Sequence, residues 1–263
     1  EGDLIFRLTI YDNANNDDTD EITITVSSPL TIYDIQYTNT PGNGTYDCYP
    51  SPYGTYPDEQ MVQTTGIVTA VSPGTYPNFF LSQPGQNIWG GVFVYNSSST
   101  TPILGQEISV IGTVTEHFGF TQIEEISEIT VLSSGNSINP ISISTGDLGL
   151  VCNLSGEAYE GMFVKINNAQ IMSIDEYGNW TVNDGSGSTL VDDYFFDGDW
   201  PEVSAGDTFD ITGVVEYSYN EYKILPRFFS DIPSAGGCAF ELGDFNGDSN
   251  FNVLDIVTLA NCV

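Results

Sequence analysis

The feature that most constrains this chain is an internal repeat. Asn78-Phe79-Phe80-Leu81 stands 101 positions ahead of Asn179-Trp180-Thr181-Val182, and at the same offset Gly105 falls on Gly206, Gly112 on Gly213, Val114 on Val215 and Ile123 on Ile224. Gly91 to Tyr95 then falls on Asp192 to Phe196, a register without gaps. Self-similarity at a fixed period is the mark of repeated modules, so two copies of one unit stand in tandem. Segments such as Ile22 to Val26, Gly66 to Val71, Gly91 to Tyr95, Ile108 to Val114 and Phe209 to Val215 alternate Val, Ile, Thr and aromatic residues between turns, the pattern of strands. Gly105-Gln106 and Gly206-Asp207 mark a turn in each copy, and Gly112 and Gly213 each interrupt the strand that follows. A glycine inside a strand marks a bulge or bend, which is how a small barrel turns a corner. The expected fold is therefore all-β, with two tandem OB-like Greek-key barrels; a β-sandwich is the alternative. Only Val253 to Cys262 has helical spacing, with Val253, Ile256, Val257 and Ala260 on one face.

The first copy, Gly66-Ile-Val-Thr-Ala-Val71 through Asn78-Phe-Phe-Leu-Ser-Gln83 and Gly105-Gln-Glu-Ile-Ser-Val-Ile-Gly-Thr-Val114 to Phe118-Gly-Phe-Thr-Gln-Ile123, resembles the OB-fold domain of secreted bacterial extracellular nucleases. The second, from Glu157-Ala-Tyr-Glu-Gly-Met-Phe-Val164 to Tyr222-Lys-Ile-Leu-Pro-Arg227, resembles the second such domain of the same proteins. In that family the nuclease chemistry belongs to a separate domain to which nothing here corresponds. Leu4 to Ile10 and Asp20 to Val26 are similar to the last two strands of a PKD-like or other immunoglobulin-like domain, and a lone hairpin needs something to cover its apolar face. Four regions are expected: an incomplete immunoglobulin-like hairpin at 1–28, a first barrel at 29–134, a second at 135–232 and a calcium loop and helix at 233–263.

That last region rests on spacing. Asp244, Asn246, Asp248, Asn252 and Asp255 occupy positions one, three, five, nine and twelve of a loop, with the Asn250 carbonyl at seven. Such a set wraps six oxygens around one calcium ion before a helix begins. It resembles half of a dockerin-type repeat, with Ser249 where glycine usually turns the loop, so a structural calcium clip is the expected role. Of the four cysteines, Cys238 and Cys262 flank this loop, while Cys48 sits in the first copy and Cys152 opens the second. Three pairings are possible; Cys48 with Cys152 and Cys238 with Cys262 is the reading offered.

Charge narrows the function. Against 36 Asp and Glu stand Arg7, Lys165, Lys223 and Arg227, a formal net charge of -32. Duplex nucleic acid and anionic membranes both reward clustered cations, so neither is expected as a partner, and no apolar run is long enough to insert in a bilayer. His117 is the sole histidine, which removes histidine triads and multi-histidine metal centres, and no nucleophile elbow, phosphate loop or dinucleotide motif occurs. Catalysis is not expected. The aromatic residues Phe79, Phe80, Trp89, Phe93, Tyr95, Phe118, Phe120, Trp180, Tyr194, Tyr217, Tyr219 and Tyr222 are either core or a stacking platform for bases or sugars. The start at Glu1 suggests a processed chain, and the cysteines with the acidic excess suggest a secreted or cell-surface one. The leading expectation is a non-enzymatic structural protein that self-assembles as a homo-oligomer, by strand addition at its open hairpin, or joins other domains of its precursor. The alternative is the accessory region of a larger secreted nuclease or polysaccharide-active enzyme, binding nucleic acid or polysaccharide.

Overall fold

Alternating apolar residues and punctuating turns give thirteen strands among the described residues of the computed structural model, which describes 2–11, 17–26, 29–42, 48–75, 77–97, 100–137, 139–196 and 200–233. At the start, β1 (Gly2–Tyr11) pairs antiparallel with β2 (Asp17–Val26), from Gly2 opposite Val26 to Tyr11 opposite Asp17. The two form a sheet of their own, and Leu8 and Ile10 are exposed on it.

The single turn α1 (Ile32–Gln36) follows. Thr31 Oγ1 accepts from the Asp34 N–H while the Asp34 carboxylate accepts from the Thr31 N–H, a capping box that settles two otherwise orphaned donors. Its Ile32 and Ile35 are fully buried under the first barrel. That barrel is β3 (Met61–Val71), β4 (Phe79–Ser82), β5 (Gly91–Val94), β6 (Glu107–His117) and β7 (Phe120–Ser133), closed in the order β3-β4-β5-β7-β6. All neighbours are antiparallel except β5 and β7.

The short β8 (Ile141–Ser142) and the single turns α2 (Thr145–Leu148) and α3 (Leu154–Glu157) lead into the second barrel. Its strands are β9 (Phe163–Ile174), β10 (Trp180–Asn183), β11 (Ser188–Val191), β12 (Thr208–Ser218) and β13 (Glu221–Leu225). Because β9 pairs with both β10 and β12, the ring closes in the same order as the first, and again one pair, β11 with β13, is parallel. The fold is all-β and OB-like.

The repeat holds with one correction. Strands β4 and β10, and β6 and β12, stand 101 apart, but Val94 and Val191 pair with Ile123 and Ile224, so the third strand of the second copy arrives four residues early. The sequence match of Gly91–Tyr95 with Asp192–Phe196 aligned a strand with the loop after one. The three helical turns were also not anticipated, since one turn is too short to show a 3.6-residue period. The ladder of β6 with β7 shifts register between Ile111 and Thr113, at Gly112, whereas the shift in β12 lies between Phe209 and Ile211, ahead of Gly213, and both glycines are closely packed. A Cβ on Gly112 would lie 2.7 Å from Ile123 and one on Gly213 2.5 Å from the Leu225 carbonyl.

Two cores result. One fills the first barrel with Phe79, Leu81, Val92, Val94, Ile108, Val110, Val114 and Ile123. The other fills the second barrel around Trp180 and Tyr222, and takes in Phe80, Phe93 and Phe120 from the outer face of the first. Strands β4 and β5 are thus buried on both faces, which explains their unbroken apolar runs. The barrels meet backbone to backbone at Gly91 and Gly161, where a Cβ on Gly91 would sit 2.1 Å from the Gly161 carbonyl carbon. The Trp89 N–H donates to the Ala158 carbonyl (2.7 Å), and Arg227 Nη1 donates to the Thr69 carbonyl (2.8 Å). A disulfide joins Cys48 to Cys152 across a separation of 104 residues, which in the chain-entropy picture stabilises the fold by about 4–5 kcal/mol.

Gly91→Ala tests this seam. The added methyl meets main chain that cannot rotate away, so the variant is expected to lose about 3 kcal/mol or more in urea unfolding, at the upper end of overpacking costs. An unchanged midpoint would show that the barrels do not touch there.

Candidate functional site

The hairpin closing each barrel has a two-residue loop, and both loops point into one cleft. In the first, β6 ends at His117 and β7 begins at Phe120, leaving Phe118 and Gly119 at φ 54° and 84°. In the second, β12 ends at Ser218 and β13 begins at Glu221, leaving Tyr219 and Asn220 at 55° and 65°. Positive φ at both central positions is what a tight hairpin turn requires, and Asn-Gly is the usual choice. Each loop instead places a large aromatic at the first position, where a side chain costs about 1–2 kcal/mol. Phe118 and Tyr219 occupy the same place in the repeat and are 60% and 87% exposed, so neither repays that cost by burial.

The cleft between the tips has a volume of about 540 Å³. It is lined by His117, Phe118 and Phe120 of the first barrel and by Glu216, Tyr217, Ser218, Tyr219 and Asn220 of the second. His117 stands edge-on to Phe118 with ring centres 4.8 Å apart, and Lys223 Nζ lies 5.4 Å from the Tyr219 ring centre. Glu216 Oε2 accepts from Ser218 Oγ (2.9 Å); burial, and secondarily the Asp192 charge, raises its carboxyl above the ordinary range. Lys223 is tied to Asp192 at 3.0 Å, Lys165 to Asp210 at 3.2 Å and Arg227 to Asp231 at 2.8 Å.

Behind the cleft, three glutamates converge on the seam. Glu160 Oε1 accepts from the Thr121 N–H (2.9 Å) across the barrel boundary, while Oε2 is buried without a hydrogen bond. Glu116 Oε1 accepts from Thr121 Oγ1 and from the Ser51 N–H, both at 2.7 Å. The Tyr222 hydroxyl donates to Glu157 Oε2 at 2.8 Å and lies 3.0 Å from Cys48 Sγ. Burial pushes the Glu157 carboxyl up to about 8 against the tyrosine hydrogen bond, and burial with the neighbouring Glu157 and Glu116 charges holds Glu160 well above its ordinary value. Glu157 therefore keeps its proton at neutral pH, and Glu160 is pushed in the same direction.

Of the residues singled out from sequence, Cys48 and Cys152 are bonded, while Cys238, Cys262 and the calcium donors Asp244, Asn246, Asp248, Asn250, Asn252 and Asp255 lie outside the described residues. Asp192 holds Lys223. The twelve aromatics divide: Phe79, Phe80, Trp89, Phe93, Phe120, Trp180, Tyr217 and Tyr222 are buried, whereas Tyr95, Phe118, Tyr194 and Tyr219 are exposed. The sequence signal that separates Phe118 and Tyr219 from the rest is their place at the first residue of two matching turns. Among the described residues there is no group of three acids, histidines or cysteines placed to hold a metal, and no helix long and apolar enough to cross a membrane.

No family model and no curated protein matches the chain. Solved structures of similar architecture include a murine DNA-binding protein bound with double-stranded DNA, at 15% identity over 62% of this chain and 90% of that one (TM-score 0.33). Two others are the p204 HINb domain, at 14% over 64% and 94% (TM-score 0.30), and the Ifi202 HINa domain in complex with 20-bp double-stranded DNA, at 12% over 64% and 93% (TM-score 0.29). They correct two expectations, the self-assembling structural fibre and the exclusion of duplex nucleic acid. Two of them, the murine protein and the Ifi202 HINa domain, hold double-stranded DNA, and whole-chain charge, on which the exclusion rested, describes the long-range field of a molecule rather than what one groove of its fold can hold.

Glu157 and Glu160 set a pH dependence. The unfolded chain releases these protons near 4.5 and the folded chain keeps that of Glu157 to about 8, so the folded state binds more protons in between. The Glu157 contribution is fully present below pH 4.5 and lost as pH rises through 8, at roughly 1.4 kcal/mol per pH unit, and Glu160 acts in the same direction. Glu157→Gln, which cannot ionise, is expected to flatten this slope in urea titrations between pH 5 and 8; parallel slopes for variant and parent would contradict the assignment.

Proposed function

We propose that the chain is a non-catalytic binding module, the accessory region of a larger secreted or cell-surface nuclease or polysaccharide-active enzyme, which grips a polymer between its two hairpin tips. One observation carries this reading. Two exposed aromatic rings at the same position of both barrels line one cleft, each held in a backbone conformation that costs stability. Residues held in costly backbone conformations concentrate at functional sites. The tips are the hairpins between the fourth and fifth strands, one of the two loops through which OB barrels hold oligonucleotides and oligosaccharides. Resemblance of the sequence to OB domains of extracellular nucleases supports the accessory role, and the immunoglobulin-like hairpin and dockerin-like loop fit a multidomain exported protein.

Phe118→Asn and Tyr219→Asn separate function from stability. Asparagine suits the turn, so each variant is expected to melt higher, with a gain of about 0.5–1 kcal/mol, yet to lose tenfold or more in retention by whichever of a neutral glucan, a single-stranded oligonucleotide or a 20-bp duplex the parent binds. Variants that bind as the parent does would sink the reading.

A calcium ion at Asp244, Asn246, Asp248, Asn250, Asn252 and Asp255 belongs to the same proposal, as a clip that ends the module. Chelation is expected to lower the melting temperature, and calcium to restore it. A melting temperature indifferent to both would remove the ion from the account.

A further inference from the structure

The lining of the cleft narrows what it holds. Its rings offer flat apolar faces, and the polar groups beside them are the His117 imidazole, the Glu216 carboxyl, the Ser218 hydroxyl and the Asn220 amide, a set that both accepts and donates. No lysine or arginine of the two barrels is free to meet a phosphate or a uronate there. Lys165, Lys223 and Arg227 are held by Asp210, Asp192 and Asp231, and the Lys223 side chain is 8% exposed. A ligand that suits this lining has an apolar face, several hydroxyls and no negative charge.

Resting on the binding-module reading, we infer that the cleft takes a neutral polysaccharide. The C–H faces of its sugar rings lie on Phe118 and Tyr219, and its hydroxyls exchange hydrogen bonds with Glu216, Ser218 and Asn220. Such a face has the area and shape of an aromatic ring and gains the same burial, while a carboxylate accepts from two vicinal hydroxyls at once. Glu216 would repel an anionic chain of identical ring shape.

The test is affinity electrophoresis of the full chain in gels holding highly methyl-esterified pectin, its de-esterified counterpart, barley β-glucan or galactomannan, with fluorescent oligo-dT and a 20-bp duplex titrated in parallel. Near-UV circular dichroism checks that the variants are folded. The expected result is that at least one neutral polymer retards the protein, and that Phe118→Asn and Tyr219→Asn each weaken this tenfold or more. Glu216→Gln is expected to weaken retention by the neutral polymer and to narrow the preference for esterified over de-esterified pectin, which in the parent is expected to be at least tenfold. If an oligonucleotide, the duplex or de-esterified pectin is held as tightly as any neutral polymer and is lost in the same two variants, the saccharide assignment is overturned while the binding module stands. If nothing is retained, or retention ignores both aromatic substitutions, the module reading falls with it.

Discussion

Everything at the candidate site depends on the burial of the outer face of the first barrel against the second. Phe80, Phe93 and Phe120 point away from their own barrel core, touch one another at ring separations of 5.0 to 6.3 Å, and vanish into the neighbouring core. Each ring buried this way stabilises the junction by about 1.5–3 kcal/mol, so three outweigh what a handful of boundary hydrogen bonds contribute. Glycine at 91 and 161 lets the two backbones close to contact, and the Cys48–Cys152 bond removes freedom the unfolded chain would otherwise keep. The junction is therefore a core in its own right rather than a linker, and it fixes where the two hairpin tips stand.

Opposing that burial are the glutamates in the seam. Buried carboxyls without a cation survive by keeping their protons, and here they become hydrogen-bonding groups that tie Thr121 to Glu160 and Tyr222 to Glu157. The arrangement holds while those protons stay on, and charge accumulates in the seam as they leave. Three separate cations are spent on fixed ion pairs elsewhere, so the second barrel keeps its shape with almost no mobile positive charge. What remains at the cleft is aromatic surface with hydroxyl, amide and carboxyl groups.

Much of the architecture was legible in the sequence because repetition carries more information than local propensity. Gly112 marked an irregularity in its strand, and alternation placed the strands. The third strand slipped because β11 is four residues long, and in a copy whose following loop is also rich in apolar residues, Asp192 to Phe196 imitates it. The helical turns left no periodic trace; their capping residues, Thr31 with Asp34 and Asn153 with Gly156, were the available sign. At the site, the aromatic positions were visible but not their fates. Alternation cannot tell an outward ring that meets solvent from one that meets a second barrel, and Phe80 and Phe93 are of the latter kind. Phe118 and Tyr219 differ by sitting on turns, a distinction that becomes readable once the strand ends are known.

The central claim is that the two barrels form one rigid body, so that their hairpin tips share a cleft. Residual dipolar couplings measured on the backbone amides of the whole chain in a weakly aligning medium test it directly. Couplings from both barrels are expected to fit a single alignment tensor in the relative orientation described, below pH 8. Two tensors of different magnitude or direction would mean that the barrels tumble apart, and the shared cleft would not exist.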